Sequence, residues 1–109
     1  MLKNLFKSGA VDVATARQMV AAGEAVLVDV RTKPEWRQGH APEAMHISLA
    51  SLERQLGRIP AHKTVLAICR SGNRSAQAVS MLRQAGYEAR NVRGGMGAWS
   101  RTRLPVTTR

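Results

Sequence analysis

The chain is poor in cysteine, aromatic residues and long apolar segments, and each shortage excludes a class of protein. One cysteine in 109 residues cannot form an internal disulfide, so we expect a cytoplasmic protein in a reducing compartment. Aromatic residues make up 4% of the chain, too few for a surface that stacks the bases of single-stranded nucleic acid. No apolar run approaches the roughly 20 residues that span a bilayer. The N-terminal MLKNLFKSGAVDV also lacks the sustained apolar region of a secretory signal.

Acidic residues are also scarce, so the chain carries a large positive charge. Seven Asp and Glu stand against 17 Lys and Arg, for a net charge of +10. The basic residues are spread along the chain instead of forming a run that would bind nucleic acid. A solvated basic surface is the simpler interpretation. Attraction of anionic substrates or of an acidic partner is the alternative, and charge alone does not decide between them.

The length and the 44% hydrophobic content predict one globular domain over residues 1–109. The three histidines, His40, His46 and His62, show no metal-ligand spacing. We therefore expect neither a metal nor another cofactor.

Strand-like apolar runs alternate with helix-like segments. Glycines or prolines stand at several of the boundaries. The predicted order is helix 15–22, strand 25–30, helical turn 34–39, short strand 45–47, helix 49–59, strand 64–69, helix 75–85 and a last strand in 88–92. This alternation predicts a three-layer α/β domain with a mostly parallel sheet.

The single cysteine lies where such a sheet binds ligands. In VLAICRSGNRSAQAV (65–79), Cys69 ends a buried strand and directly precedes a helix, at the carboxyl edge of the sheet. Unpaired amides, the helix dipole and nearby Arg70 and Arg74 all favour a thiolate, so no neighbouring base is needed. Gly72 permits the turn, and Ser75 is predicted to cap the helix. A buried, inert cysteine is the alternative.

Five segments in a fixed order connect this loop to a known family. They are VLVDVR (26–31), PEWRQGHAPEA (34–44), CRSGNRS (69–75), LRQAGY (82–87) and VRGGMGAW (92–99). Over nearly its whole length the chain resembles single-domain rhodaneses, the thiosulfate sulfurtransferase family. The resemblance implies a rhodanese-like three-layer α/β domain, with a five-stranded parallel sheet flanked by helices on both faces.

The resemblance also implies a reaction. Cys69 would attack the outer sulfur of thiosulfate or a related donor, release sulfite and hold a persulfide, which a thiol acceptor or cyanide then discharges. The substrate-binding residues are those of the loop, whose amides would stabilise the persulfide: Arg70, Ser71, Gly72, Asn73, Arg74 and Ser75. Arg70 and Arg74 are the candidates for holding the anionic donor.

Other matched residues are expected to be supporting or structural. Asp29 and Arg31 end the VLVDVR strand and are predicted to pair with each other, with Glu35 or with loop backbone groups. His40 is expected to fix a turn. Gly94 and Gly95 suit a tight turn before a core Trp99. Glu43 stands where the family often has glycine, so we expect either backbone strain there or a different turn.

Two alternative functions would use the cysteine loop, and a third would not involve it. Phosphatases or arsenate reductases of this fold use Cys-x5-Arg, whereas four residues separate Cys69 from Arg74 here, and no aspartate stands near the loop as general acid. A sulfur carrier that relays persulfide between proteins would use Cys69 identically. Binding of polyanions rests on charge alone. The sequence does not identify the physiological donor and acceptor, the pathway or the oligomeric state.

Overall fold

Helices and strands alternate along the chain as predicted, and the computed structural model describes residues 9–109. Residues 1–8, part of the segment predicted not to be a secretory signal, lie outside the described residues. The elements are α1 (Val13–Ala21), β1 (Ala25–Asp29), α2 (Lys33–Gln38), β2 (Met45–His46), 3-10 helices at Leu49–Ser51 and Glu53–Arg58, β3 (Thr64–Ile68), α3 (Asn73–Gln84), β4 (Ala89–Asn91) and α4 (Gly95–Arg101). None of the helices in residues 9–109 has the length and apolar character needed to cross a membrane.

The sheet has four parallel strands in the order β2-β1-β3-β4. The expectation of five strands is therefore wrong for the described residues. A fifth position exists only as one parallel bridge, in which Val11 pairs with Val92 beside β4. The Val11 amide donates to the Asn91 carbonyl at 2.9 Å, and the Arg93 amide donates to the Val11 carbonyl at 2.7 Å. Asp12 then caps α1 through the Thr15 amide, so the bridge at Val11 does not continue toward the C-terminus.

Alternating side chains of β1 and β3 bury two separate cores, one on each face of the sheet. Leu27 and Leu66 face the core shared with α1 and α4, which also holds the fully buried Trp99. Val28 and Val65 face the core shared with α3 and the 3-10 segments. Strands covered on both faces explain why these sequences are continuous apolar runs. The three-layer expectation is confirmed.

The segment 49–59 forms two 3-10 helices where the sequence predicts one α-helix. The two 3-10 helices meet at Leu52, and the second is kinked at Gln55, whose backbone is non-helical with φ −113° and ψ 17°. The apolar side is nevertheless preserved, because 3-10 geometry also brings residues three apart onto one face. Leu52 and Ile59 are buried. The Tyr87 hydroxyl lies within hydrogen-bonding distance of the Leu56 and Ile59 carbonyls, which anchors the end of the segment.

Candidate active site

Cys69 lies at the carboxyl end of β3, one of the two inner strands, between β1 and β4. Its residue surface is 1% exposed. The neighbouring strand β1 continues beside it, since the Val30 amide donates to the Ile68 carbonyl at 3.0 Å. The sulfur therefore occupies the floor of the loop that joins β3 to α3.

Hydrogen bonds converge on this sulfur. The Gly72 amide donates to Cys69 Sγ at 3.1 Å, and the Ser75 hydroxyl oxygen lies 3.2 Å from it. Burial alone would raise the pKa of the thiol. The hydrogen bonds from the Ser75 hydroxyl and from the amides of Ser75, Gly72 and Ser71 outweigh burial, so the pKa of Cys69 lies below its usual value. The site favours a thiolate without a base.

The helix after the loop begins earlier than the sequence predicts. Asn73 is its first residue and Gly72, at φ +120°, is its N-cap, in a conformation that favours glycine. The expectation that Ser75 caps the helix is wrong. Ser75 is the third helical residue, fully buried, and its hydroxyl contacts the sulfur and the Asn91 side chain instead of a backbone amide of the first turn.

The first turn of α4, which follows Gly94, is hydrogen-bonded to the cysteine loop. The Met96 amide donates to the Cys69 carbonyl at 2.7 Å, and the Gly97 amide donates to the Arg70 carbonyl at 3.0 Å. Gly95 has φ +56°, and a Cβ there would overlap the Cys69 carbonyl oxygen and approach that of Arg70 to 2.6 Å. The sequence predicts a tight turn here, but the hydrogen bonds to the cysteine loop become visible only in the structure.

Arg74 forms an ion pair with Glu35. Its Nη1 and Nη2 donate to Oε1 and Oε2 of Glu35 at 2.7 and 2.9 Å. Chiefly through these hydrogen bonds, Arg74 lowers the pKa of Glu35 to about 2. Glu35 also accepts from the Thr32 amide and hydroxyl in a capping box that starts α2. The guanidinium at the end of the loop is thus fixed by α2.

Asp29 and Arg31 pair with each other. Both are buried, and Arg31 Nη2 donates to Asp29 Oδ2 at 2.8 Å and to the Gly39 carbonyl at 2.7 Å. The pair closes the turn between β1 and α2 and has no hydrogen bond to the cysteine loop. Of the sequence alternatives for these residues, the mutual pair is observed, together with the hydrogen bond from Arg31 to the Gly39 backbone, and the pairing with Glu35 is not.

Arg70 differs from Arg74, because no described residue accepts a hydrogen bond from its guanidinium. Arg70 is exposed, as are Ser71 and Asn73. It lines a pocket of about 230 Å³ together with Arg31, Glu35 and Met96. This pocket adjoins the cysteine loop and contains two arginines.

A second groove lies beside the Arg74 end of the loop. Two adjoining pockets of about 330 and 450 Å³ share Lys33 and Ser48. One extends to Arg58 and the other to Arg74, and no carboxylate lines either of them. The groove, defined here by Lys33, Ser48, Arg58 and Arg74, runs up to the loop, and its positive charge comes chiefly from Lys33 and Arg58, because Arg74 is paired with Glu35.

Asn91 is the residue of the site that sequence reasoning missed. It ends β4, its Nδ2 donates to the Gly72 carbonyl at 2.9 Å, and its Oδ1 accepts from the Ser75 hydroxyl at 2.5 Å. Its place at the carboxyl end of a strand next to β3 was the available signal.

The remaining matched residues are structural. His40 Nδ1–H donates to the Trp36 carbonyl at 2.7 Å, and the His40 ring stacks on the Trp36 ring at 3.4 Å. Trp99 is fully buried and donates to the Pro105 carbonyl. Glu43 has no left-handed strain, since Arg103 is the only non-glycine residue within 9–109 with positive φ. Of the two expectations for Glu43, backbone strain or a different turn, the different turn is thus the correct one.

No cluster of three His, Cys, Asp or Glu side chains within residues 9–109 is arranged to hold a metal ion.

Comparisons with known proteins agree with this architecture. A sulfurtransferase of Allochromatium vinosum is 40% identical over 92 residues, which cover 84% of this chain and 86% of that protein. The putative sulfurtransferase YtwF of Bacillus subtilis is 33% identical over 82% of this chain and 87% of its own. A crystal structure of a rhodanese-related protein from Thermoplasma volcanium superposes with a TM-score of 0.84 at 27% identity, covering 93% of this chain and 99% of the other. The family model for the rhodanese-like domain matches residues 12–102, and the chain belongs to that family.

Proposed function

We propose that the protein is a sulfurtransferase that moves a sulfane sulfur from thiosulfate or a related donor to an acceptor through a persulfide on Cys69. The observation that carries the proposal is the sulfur itself, which is deeply placed and receives the Gly72 amide hydrogen bond. Relatives named as sulfurtransferases support the reaction class. The donor and the acceptor are inferred from the chemistry of the loop.

In the first half-reaction the Cys69 thiolate attacks the outer sulfur of thiosulfate. A new S–S bond forms to Cys69 Sγ, and the S–S bond within thiosulfate breaks with its electron pair going to sulfite. One negative charge stays on the terminal persulfide sulfur, and sulfite leaves as a dianion. The loop amides that stabilise a thiolate would also stabilise this persulfide.

The second half-reaction requires an external nucleophile. An acceptor thiolate, or cyanide, attacks the terminal sulfur, and the electron pair of the broken S–S bond returns to Cys69 as thiolate. Because the chain has one cysteine, no internal thiol can replace the acceptor. Acceptor thiols are available in a reducing compartment, so we propose the cytoplasm as the site of action.

Arg70 is our first candidate for binding the donor, and Arg74 is our second. Arg70 is exposed beside the pocket and free to contact sulfonate oxygens. Arg74 already uses both terminal nitrogens on Glu35. It adds a fixed positive charge at the loop, while Ser71 and Asn73 would contribute backbone amides.

The positively charged groove suits the acceptor. It leads from Arg58 past Lys33 to Arg74 without a carboxylate, so an anionic thiol would be attracted along it. An acidic carrier protein would be attracted by the positive charge of the same groove.

Phosphatase chemistry is a weaker proposal. A phosphate monoester needs an acid to protonate its leaving alkoxide. Asp29 is fully buried on Arg31 and Glu35 is bound to Arg74. No free carboxylate is described at the loop, and sulfite leaves without a proton donor.

The decisive experiment is the intact mass of reduced protein before and after thiosulfate, without acceptor, beside Cys69→Ser. A gain of one sulfur atom in the wild type alone, reversed by cyanide or a thiol, supports the proposal. No gain from thiosulfate, with a gain from a protein persulfide donor, would favour the relay function. No gain from either, with hydrolysis of an aryl phosphate, would favour a phosphatase.

A further inference from the structure

The Ser75 hydroxyl has one proton and two neighbours that compete for it. Its oxygen lies 3.2 Å from Cys69 Sγ and 2.5 Å from Asn91 Oδ1. A neutral thiol can donate its own proton to Ser75 Oγ, which leaves the hydroxyl proton for Asn91. A thiolate has no proton to give and requires the hydroxyl proton for itself. The two hydrogen bonds of Ser75 therefore depend on the charge of the sulfur.

The Asn91 amide cannot avoid this competition by rotating. Its Nδ2 donates to the Gly72 carbonyl at 2.9 Å. Exchanging oxygen and nitrogen would place Oδ1 against that carbonyl, two acceptors with no proton between them. Gly72 thus fixes the oxygen of Asn91 toward Ser75. Gly72 also donates its amide to the sulfur, so Asn91 contacts two of the three residues whose hydrogen bonds favour the thiolate, Gly72 and Ser75.

We propose that Asn91 is a positioning residue. It accepts the hydrogen bond of the Ser75 hydroxyl while Cys69 is a thiol, and the hydroxyl turns to donate to the sulfur when the thiolate forms. Its role in the sulfur-transfer cycle rests on the proposed function. The hydrogen-bond exchange itself requires only that Cys69 ionises.

The exchange would accompany each half-reaction. In the thiolate, Ser75 donates to the sulfur and Asn91 Oδ1 loses its donor. In the persulfide, Sγ is bonded to two other atoms and its charge has moved to the terminal sulfur, so the Ser75 hydroxyl donates to Asn91 again. When the acceptor takes the terminal sulfur, the hydroxyl donates to Sγ once more. Asn91 thereby supplies an alternative acceptor, and Ser75 stays hydrogen-bonded in every state.

The direction of the effect follows from the competition. Asn91 stabilises the state in which Ser75 does not donate to sulfur, so this competition opposes ionisation of Cys69 and requires the Ser75 hydroxyl. No charged side chain donates to or accepts from the Asn91 side chain within residues 9–109. The charged groups on the loop and on the elements packed against it are Arg70, Arg101 of α4, Arg93 after β4 and three ion pairs: Arg74–Glu35, Asp29–Arg31, and Arg90 of β4 with Glu88.

The test is a double-mutant cycle read as the titration of the Cys69 thiolate, followed by its ultraviolet absorbance against pH. The four proteins are wild type, Asn91→Leu, Ser75→Ala and the double variant, with Cys69→Ser as the blank. Asn91→Leu is expected to shift the titration midpoint of Cys69 to lower pH when Ser75 is present. This shift should be about one pH unit more negative than the shift that Asn91→Leu causes in the Ser75→Ala background, a tenfold difference in the ionisation constant. Loss of the Gly72 contact affects both backgrounds equally and cancels.

Equal midpoint shifts in the two backgrounds, or a coupling of opposite sign, would overturn the proposal. Asn91→Ala, run in the same cycle, replaces Asn91→Leu if the larger side chain prevents folding. The titration uses no sulfur donor, so its result stands even if thiosulfate fails to load Cys69.

Discussion

Glu35 and Arg74 hold each other through two hydrogen bonds of 2.7 and 2.9 Å, although 39 positions separate them in the chain. Glu35 lies in α2 and Arg74 in the first turn of α3, so the pair connects the helix after β1 to the loop after β3. The bidentate geometry fixes the orientation of the guanidinium as well as its position.

Glu35→Gln is expected to destabilise the protein in a pH-dependent way. The pKa of Glu35 is lowered from 4.5 to about 2. The charged carboxylate therefore stabilises the fold fully at pH values above 4.5, the pKa in the unfolded chain, and this stabilisation is lost as the pH falls through about 2. Because the pair is partly exposed, we expect a loss of about 1 kcal/mol at neutral pH. Urea unfolding at several pH values measures it. Glu53→Gln, at an exposed carboxylate without a described ion pair, is the control. A gap between wild type and Glu35→Gln that stays constant down to the lowest pH would contradict the assignment.

Arg70→Ala is expected to raise the KM for thiosulfate about tenfold, the effect of one or two lost charge-assisted hydrogen bonds. Discharge of the preformed persulfide by cyanide should change less. Stopped-flow measurement of each half-reaction separates the two effects. Arg37→Ala removes an exposed arginine from α2 and should leave both steps unchanged. An unchanged thiosulfate KM in Arg70→Ala would transfer the donor-binding role to Arg74.

Lys33→Glu is expected to slow persulfide discharge by an anionic thiol such as glutathione severalfold, with little effect on a neutral thiol such as mercaptoethanol. The reason is charge reversal in the middle of the groove. Lys63→Glu makes the same change of net charge at the opposite edge of the sheet, before β3 begins. Equal slowing by both variants would mean that net charge matters and the groove does not. Added salt should reduce the Lys33 effect.

Gly95→Ala is expected to destabilise the fold by about 2 kcal/mol or more, because the residue has φ +56° and its Cβ would overlap the Cys69 carbonyl. The melting temperature measures the loss. Gly57→Ala is the matched control, since no atom lies within 4 Å of its added Cβ. If the two variants melt alike, the close approach of α4 to the loop is not a structural requirement.

The order of elements and the position of Cys69 were predictable because apolar runs and glycine boundaries are local signals. Gly23 follows α1 and Gly39 ends α2 where the sequence places them. The 3-10 form of segment 49–59 was not predictable, since Leu49, Leu52 and Leu56 are three and four residues apart, as on the apolar face of an α-helix. The fifth strand came from the family resemblance alone, and the described residues contain one bridge at that position.

The side-chain partners within the site were harder to predict. Ser75 stands where a helix cap is expected, and only the approach of β4 shows that its hydroxyl faces Asn91. Likewise, the choice of Glu35 by Arg74 depends on how two helices pack on the sheet. Such partners are distant in sequence and are determined by tertiary packing.

Because Cys69 is only 1% exposed, the width of a reagent determines whether it can reach the sulfur. A narrow anion with a terminal sulfur can present one atom to the floor of the loop, whereas the disulfide of a folded protein cannot bring its bond to the same depth without opening the loop. In the proposed reaction this depth would favour terminal sulfur atoms over internal disulfides. It would also distinguish the proposed persulfide, whose outer sulfur extends one atom closer to solvent, from the bare thiol beneath it.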